Sequence, residues 1–304
     1  MNKKIKAHIA VLLGNFFFGS AIVAVKHVSP SLMQPLALNV IRVSVALILF
    51  WFLFLLNPSH ALIRKKDIPL FLLCAATGVA INQILFIKGA SLTSPIHTSL
   101  LALTTPVAIT IIAVWLLKEK FTSNKLVGLI LGISGAAILI LSKDQVNKSS
   151  SILGDLFVII NAASYAFYLV LVQPLMQRYK PVHVIRWIFF FGALMIVPLG
   201  WNDFIQIKWN AFVWTHWLAL SFVVLGATFL AYIFIIYGIA HLGSSITGTY
   251  IYTQPIFATI TSMILFNERL SLIKLCSAAL IFAGVYFVNR KKELTTAEGL
   301  ESLD

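Results

Sequence analysis

Ten long apolar blocks, joined by short polar connections, dictate what this chain can become. They run Ile9–Val25, Leu36–Leu56, Ile68–Ile87, Thr98–Leu117 and Leu126–Leu141, then Ile152–Val172, Val182–Leu199, Trp214–Tyr237, Ser245–Phe266 and Leu270–Val288. An α-helix rises about 1.5 Å per residue, so about 20 apolar residues cross a hydrocarbon core about 30 Å thick. Each block fits that length. Only 11% of the residues are charged, against roughly 25% in soluble domains, so most of the surface faces something other than water. The connections are too short to hold a soluble domain. The expected fold is an all-α membrane protein of ten transmembrane helices.

The formal net charge is +13. Its basic residues gather at the block ends, which is the positive-inside signature rather than a nucleic-acid-binding stripe. For ten spans, fourteen Lys and Arg fall on one side, in the groups Lys3–Lys6, Arg64–Lys66, Lys118–Lys125, Arg178–Lys180 and Arg290–Lys292. Seven, including Lys26 and Lys88, fall on the other, and Arg42 and Arg186 lie within or near spans. This bias places both termini in the cytoplasm, with the chain in a plasma (inner) membrane. The first block is too long for a signal-peptide core and has no cleavage site before Lys26, so it reads as a retained helix. Cys74 and Cys276 sit inside apolar blocks and read as inert small hydrophobes, with no disulfide framework or metal cluster.

The two halves of the sequence are similar. Pro106 matches Pro255, Glu119 matches Glu268, Lys120 matches Arg269, Lys125 matches Lys274 and Gly135 matches Gly284, each 149 residues apart. Lys88-Gly89 falls on Tyr237-Gly238 at the same offset, and Asn15 and Asn161 sit at similar depths of their blocks. Residues 1–142 and 150–292 therefore read as two copies of a five-helix unit, followed by a solvated, disordered cytoplasmic tail at 293–304. Five is odd, so the second copy enters from the opposite side. Such inverted repeats recur in transporters, where two equivalent halves open a central site to each side in turn.

Particular motifs within the repeat resemble a known family. Pro106, Glu119-Lys120-Phe121, Gly128, Gly132 and Gly135 are similar to the fourth and fifth helices of an EamA domain, and Pro255, Asn267-Glu268-Arg269-Leu270 and Gly284 to the second copy. Asn15-Phe16-Phe17-Phe18-Gly19 and Gly154-Asp155 through Ser164-Tyr165-Ala166 resemble the openings of the two domains. The resemblance covers about residues 10–140 and 153–289. It implies the drug/metabolite transporter superfamily, ten helices, and a central cavity lined mainly by helices 1, 3, 4, 6, 8 and 9.

Candidate functional residues follow from what lipid forbids. Pro106 and Pro255 lack an N–H, which frees the carbonyls of Ala102 and Ile251; these need a polar neighbour or a cavity. Thr104, Thr105, Thr253 and Gln254 flank them. Mid-depth polar groups are expensive against lipid and should point inward. The cavity candidates are Asn15, Asn82, His97, Thr105, Asn161, Tyr165, Tyr232, Tyr250 and Gln254, a lining of aromatic rings and amides that suits neutral or zwitterionic organic solutes. The resemblance implies a structural or gating role for Arg42, since the family often places an arginine here, with anion binding as the alternative. Glu119 and Glu268 form a symmetric pair set for interface ion pairs.

Several chemistries find no support. Asp67, Asp144, Asp155 and Asp203 all fall in connections or at block ends, so no carboxylate is expected at mid-membrane. That disfavours a buried proton relay and favours facilitated diffusion or exchange. No phosphate-binding G-x-x-x-x-G-K-[ST], H-E-x-x-H or G-x-S-x-G motif is present, and His97 beside Ser94 or Ser99 is a weak nucleophile arrangement. The expectation is a non-enzymatic carrier without cofactor or metal. Its partners are a small-molecule solute and the bilayer, not nucleic acid, and its oligomeric state is left open. It would export amino acids or similar compounds. The alternatives are an exchanger of anionic phosphate esters or nucleotide sugars, motivated by Lys26, Arg42, Lys88 and Arg186, and a non-transporting scaffold or sensor.

Overall fold

A computed structural model describes residues 3–56, 63–116, 122–141, 151–267 and 270–289. The helices are α1 (Lys3–Val28), α2 (Pro35–Leu56), α3 (Ile68–Ala75), α4 (Ile81–Leu92), α5 (Pro95–Ala102), α6 (Thr105–Leu116) and α7 (Ser123–Leu141) in the first half. The second half has α8 (Ile152–Leu171), α9 (Gln173–Arg178), α10 (Pro181–Ile205), α11 (Trp214–Ser221), α12 (Ala231–Thr249), α13 (Gln254–Phe266) and α14 (Leu272–Asn289). Among the described residues, six continuous helical runs are long and apolar enough to span a bilayer: Lys3–Val28, Pro35–Leu55, Lys65–Leu92, Ile152–Arg178, Val182–Ile205 and Trp214–Gly238. Ser123–Ile138, Tyr250–Phe266 and Leu272–Gly284 are shorter apolar helices. Large apolar side chains such as Leu55, Trp115, Ile264 and Leu272 stand exposed on the outside, where lipid rather than water receives them.

Packing follows the repeat. α7 pairs with α14 and α2 with α10, and in each case a helix meets its own counterpart. α1 packs on α12 and α13, while its counterpart α8 packs on α4 and α6. Exchanging the two halves maps each of these contacts onto another.

The backbone shows the same correspondence. Lys65–Leu92 carries a π-helical stretch at Ala76–Ala80, and Trp214–Gly238 carries one at Phe222–Leu230. Shifted by the repeat offset, the first falls inside the second. Next comes a break before each proline. The first half turns at Leu103 and Thr104 between α5 and α6, and Tyr250–Thr253 forms a 3-10 turn before α13. Pro106 and Pro255 each occupy the second position of the following helix, where a missing N–H is harmless.

One boundary differs from expectation. The sequence places a connection between Tyr237 and Ser245, yet α12 remains helical to Thr249. In the first half the corresponding helix stops at Leu92, because Pro95 disfavours helix just before it and Ser94 caps the new one through the His97 amide. The second half has Ser244 where the first has Pro95, so that stop signal is missing.

Two glycines 149 residues apart let the halves close on each other. A Cβ on Gly89 would stand 2.8 Å from Val158 Cγ2 and 3.0 Å from the Gly154 carbonyl, and one on Gly238 would overlap Val11 Cγ2. Both Gly89→Ala and Gly238→Ala are expected to destabilise by about 1–3 kcal/mol, read as a lower thermal unfolding midpoint in detergent. In a Val11→Ala background, Gly238→Ala should cost almost nothing more, since only side-chain atoms oppose it. Val158→Ala should not rescue Gly89→Ala, because the Gly154 carbonyl remains. Equal rescue at both positions would contradict this packing.

Candidate functional site

The polar side chains of the interior divide into three groups. The first joins α1 to α13: buried Asn15 donates to the Val11 carbonyl at 2.8 Å and accepts from Gln254 Nε2 at 2.8 Å. Ser20 and Thr261 extend this seam through hydroxyls 3.1 Å apart.

The second group lies where α2, α4, α8 and the π-helical stretch of residues 222–230 converge. Asn161 Nδ2 donates to the Asn82 carbonyl at 2.7 Å, with a longer return bond of 3.5 Å from Asn82 to the Asn161 carbonyl. Ser164 donates to the Thr77 carbonyl at 2.7 Å, satisfying one of the backbone groups of the first π stretch. Thr228 does the same for the second by donating to the Val223 carbonyl at 2.8 Å. Tyr165 stacks on Tyr168, and Tyr232 makes edge-to-face contacts with Phe18 and Phe189. Arg42 is buried and donates through Nε to Thr228 Oγ1 at 2.9 Å. Its Nη1 has no hydrogen-bond partner among the described residues. Neither has either atom of the Gln83 amide, nor Oδ1 of Asn39. Asn39 lies one turn before Arg42 on α2, and its Nδ2 donates to the Gln83 carbonyl at 3.2 Å. Tyr232 lies against the Gln83 amide and within electrostatic reach of Arg42.

The third group lies at the opposite end of α1 from its N-terminus. Asp155, in the first turn of α8, accepts from Thr93 Oγ1 at 2.5 Å and lies 3.2 Å from His97 Nδ1. All three side chains are buried. Lys26 donates to the carbonyls of Ser91 and Thr93 at 3.3 and 2.6 Å, a cation closing the C-terminal end of α4.

The structure corrects several expectations. Asp155 stands at a span end, as expected, and is buried there with His97 as its partner. The signal was available in Gly154-Asp155: a small residue beside an acid at a helix start permits close approach of the helix before it. Lys26 is more than a flank anchor. Thr105 satisfies the Ala102 carbonyl at 2.7 Å, as its place beside Pro106 implied, whereas Thr253 donates to Tyr250 rather than Ile251. Tyr250 stands apart, its hydroxyl 2.7 Å from His8 Nδ1 in an exposed position. Pro255 is buried behind α1. Glu119 and Glu268 lie outside the described residues. Asn39 escaped notice because an asparagine one turn from an arginine carries no distinctive motif.

Other charged groups serve the frame. Asp67 binds Arg178 at 2.6 Å and accepts from the Tyr179 hydroxyl at 2.7 Å, fixing the start of the Lys65–Leu92 run to the segment before α10. Burial pushes the Tyr179 phenol up from its ordinary value, so it stays protonated and donates. Arg186 is enclosed by Phe54 and Trp51, 3.6 and 4.7 Å from the ring centres. A cavity of about 220 Å³ lies elsewhere, between Pro30–Gln34 and Asp203–Lys208.

An all-helical frame of two repeated halves, apolar outside and polar where the halves meet, defines a multi-pass integral membrane protein. The chain belongs to the EamA-like transporter family, which matches it over residues 5–141 and again over 152–290, and so to the drug/metabolite transporter superfamily. It is 20% identical to the uncharacterized transporter YetK of Bacillus subtilis (strain 168), over 96% of this chain and 89% of that one. It is 24% identical to an uncharacterized transporter of Archaeoglobus fulgidus, over 94% and 100%. A probable terminal-alkyne amino-acid exporter of Streptantibioticus cattleyicolor is 26% identical over 75% of each chain. One solved crystal structure shares the fold, with a TM-score of 0.62 and 16% identity over 93% of this chain and 96% of that one.

Removing the Asp155 carboxylate leaves Thr93 and His97 buried without their acceptor. Asp155→Ala is expected to cost about 3 kcal/mol and Thr93→Val about 1 kcal/mol, measured as thermal midpoints in detergent. Equal, small shifts for both would show that Asp155 is solvated.

Proposed function

We propose that this transporter moves small organic metabolites, amino acids or similar neutral or zwitterionic solutes, out of the cell by alternating access. Ten spans in two inverted units, residues 1–142 and 150–292, would carry the exchange, with both termini in the cytoplasm of the inner membrane. The observation that carries this reading is the internal symmetry. Each half has a π-helical stretch and a break before a proline at corresponding positions, and the helix contacts map onto one another when the halves are exchanged. Local departures from α-helix are the places where a packed helix can switch, and equivalent halves supply two equivalent closures. The polar groups between them, Asn15 with Gln254 and Asn82 with Asn161, are the surfaces a solute would meet. The amino-acid exporter among the relatives agrees with a solute of this kind.

The test is metabolite release from cells expressing the chain, compared with an Asn15→Ala, Tyr165→Phe, Gln254→Ala triple variant at equal abundance. A compound accumulating outside with the original chain, and at least about tenfold less with the variant, is the expected result. Equal release by both would separate transport from this set of residues. No change in the medium with either would count against export.

A further inference from the structure

The unpaired atoms around Arg42 form a pattern. Among the ten Asp and Glu of the chain, the described ones are Asp67, Asp155 and Asp203. Asp67 is held by Arg178 and Tyr179, Asp155 by His97 and Thr93, and Asp203 borders the cavity at the end of α10. None of the three pairs with the Arg42 guanidinium. A buried cation lacking a counter-charge is costly in a membrane interior, and such groups mark solute pathways.

The atoms beside it are just as informative. Nη1 of Arg42 and Nε2 of Gln83 are unused donors, while Oε1 of Gln83 and Oδ1 of Asn39 are unused acceptors. All belong to buried side chains on two adjoining helices, tied by the bond from Asn39 to the Gln83 carbonyl. The Arg42 Nε bond to Thr228 fixes the guanidinium against the second π stretch and leaves Nη1 facing away from that anchor. Unused donors next to a positive charge suit a carboxylate, because a guanidinium offers paired N–H groups to it. Unused acceptors beside them suit an ammonium group.

We propose that Arg42, Gln83 and Asn39 receive the zwitterionic head of an α-amino acid, with Arg42 and the Gln83 amide nitrogen on the carboxylate and the Asn39 and Gln83 oxygens on the ammonium. Tyr232 lies beside this head site, and Tyr165 and Tyr168 within electrostatic reach of Tyr232; these rings would face the solute's side chain. A phosphate ester fits less well. Its phosphate carries two negative charges and it brings no ammonium for the oxygens, and the other buried arginine, Arg186, sits apart among Trp51, Phe54 and His183. Lys88 lies exposed over Phe157. The inference rests on the transport reading above and deepens it.

The test uses the purified full-length protein in detergent and in proteoliposomes. The probes are the common L-amino acids, their amides, their N-acetyl derivatives, and phosphoenolpyruvate. Thermal stabilisation reports binding and counterflow reports transport. At least one amino acid should bind about tenfold or more tightly than both its amide and its N-acetyl form. Arg42→Gln should erase the preference over the amide, and Arg42→Lys should keep part of it. Gln83→Met is the second variant. Neither atom of the Gln83 amide has a close hydrogen-bond partner among the described residues, so the variant should leave stability nearly unchanged while weakening amino-acid binding several-fold. A structural role for Gln83 would instead lower stability without touching selectivity. Equal binding of acid and amide, tighter binding of phosphoenolpyruvate, or an unaltered preference in Arg42→Gln would overturn the head-group assignment while leaving transport intact. If counterflow occurs only with the amides, the assignment falls alone. If no probe binds or moves, both readings fall.

Discussion

Hydrocarbon offers the backbone no hydrogen bonds, and the interior of this protein is organised around that single deficit. Every departure from regular helix frees a carbonyl that must find a donor within the chain. The first π stretch takes one from Ser164, the second from Thr228, and the break before Pro106 takes one from Thr105. The end of α4 takes one from Lys26. Much of the scarce polar chemistry of the chain is therefore consumed by its own backbone. Polar atoms left over after that demand is met are conspicuous, and two groups of them stand out among the described residues, one beside Arg42 and one around Arg186.

Symmetry supplies the frame, and asymmetry supplies the site. The helix pairings and the glycines at 89 and 238 obey the repeat. The polar contacts do not. Asn15 reaches across to Gln254 on α13, while Asn161, at a similar depth of α8, reaches Asn82 on α4. Arg42 binds Thr228, and Asp155 binds Thr93, contacts that are not images of each other. Two halves with identical surfaces would present a solute with a symmetric cleft. Substituting polar residues separately in each half breaks that equivalence and would give the proposed site a distinct head and wall.

The six long apolar runs among the described residues were legible in the sequence because hydropathy alone sets them, and the repeat was legible because prolines and glycines keep their positions when the surrounding apolar residues drift. The continuation of α12 past Gly238 was also written there, in the absence of a proline at Ser244, but that reading requires the first half as a template. Pairing between distant helices was not legible. Nothing local in Gly154-Asp155 names His97, and nothing in Asn39 names Gln83. Those relations depend on which faces the packed helices turn toward one another. A twenty-residue apolar helix with little amphipathic bias does not declare its faces, since lipid and core ask for the same side chains.

Selectivity in such a site comes from what is left unpaired. A wall of tyrosine and phenylalanine rings discriminates weakly between side chains, because one methylene more or less changes contact only modestly. A buried donor or acceptor discriminates strongly, because a solute that fails to meet it leaves a desolvated polar atom with no partner. In the proposed site, Tyr165, Tyr168 and Tyr232 are the permissive part, and the unused atoms of Arg42, Gln83 and Asn39 are the exacting part. A carrier assembled this way is strict about the head of its solute and tolerant of the rest.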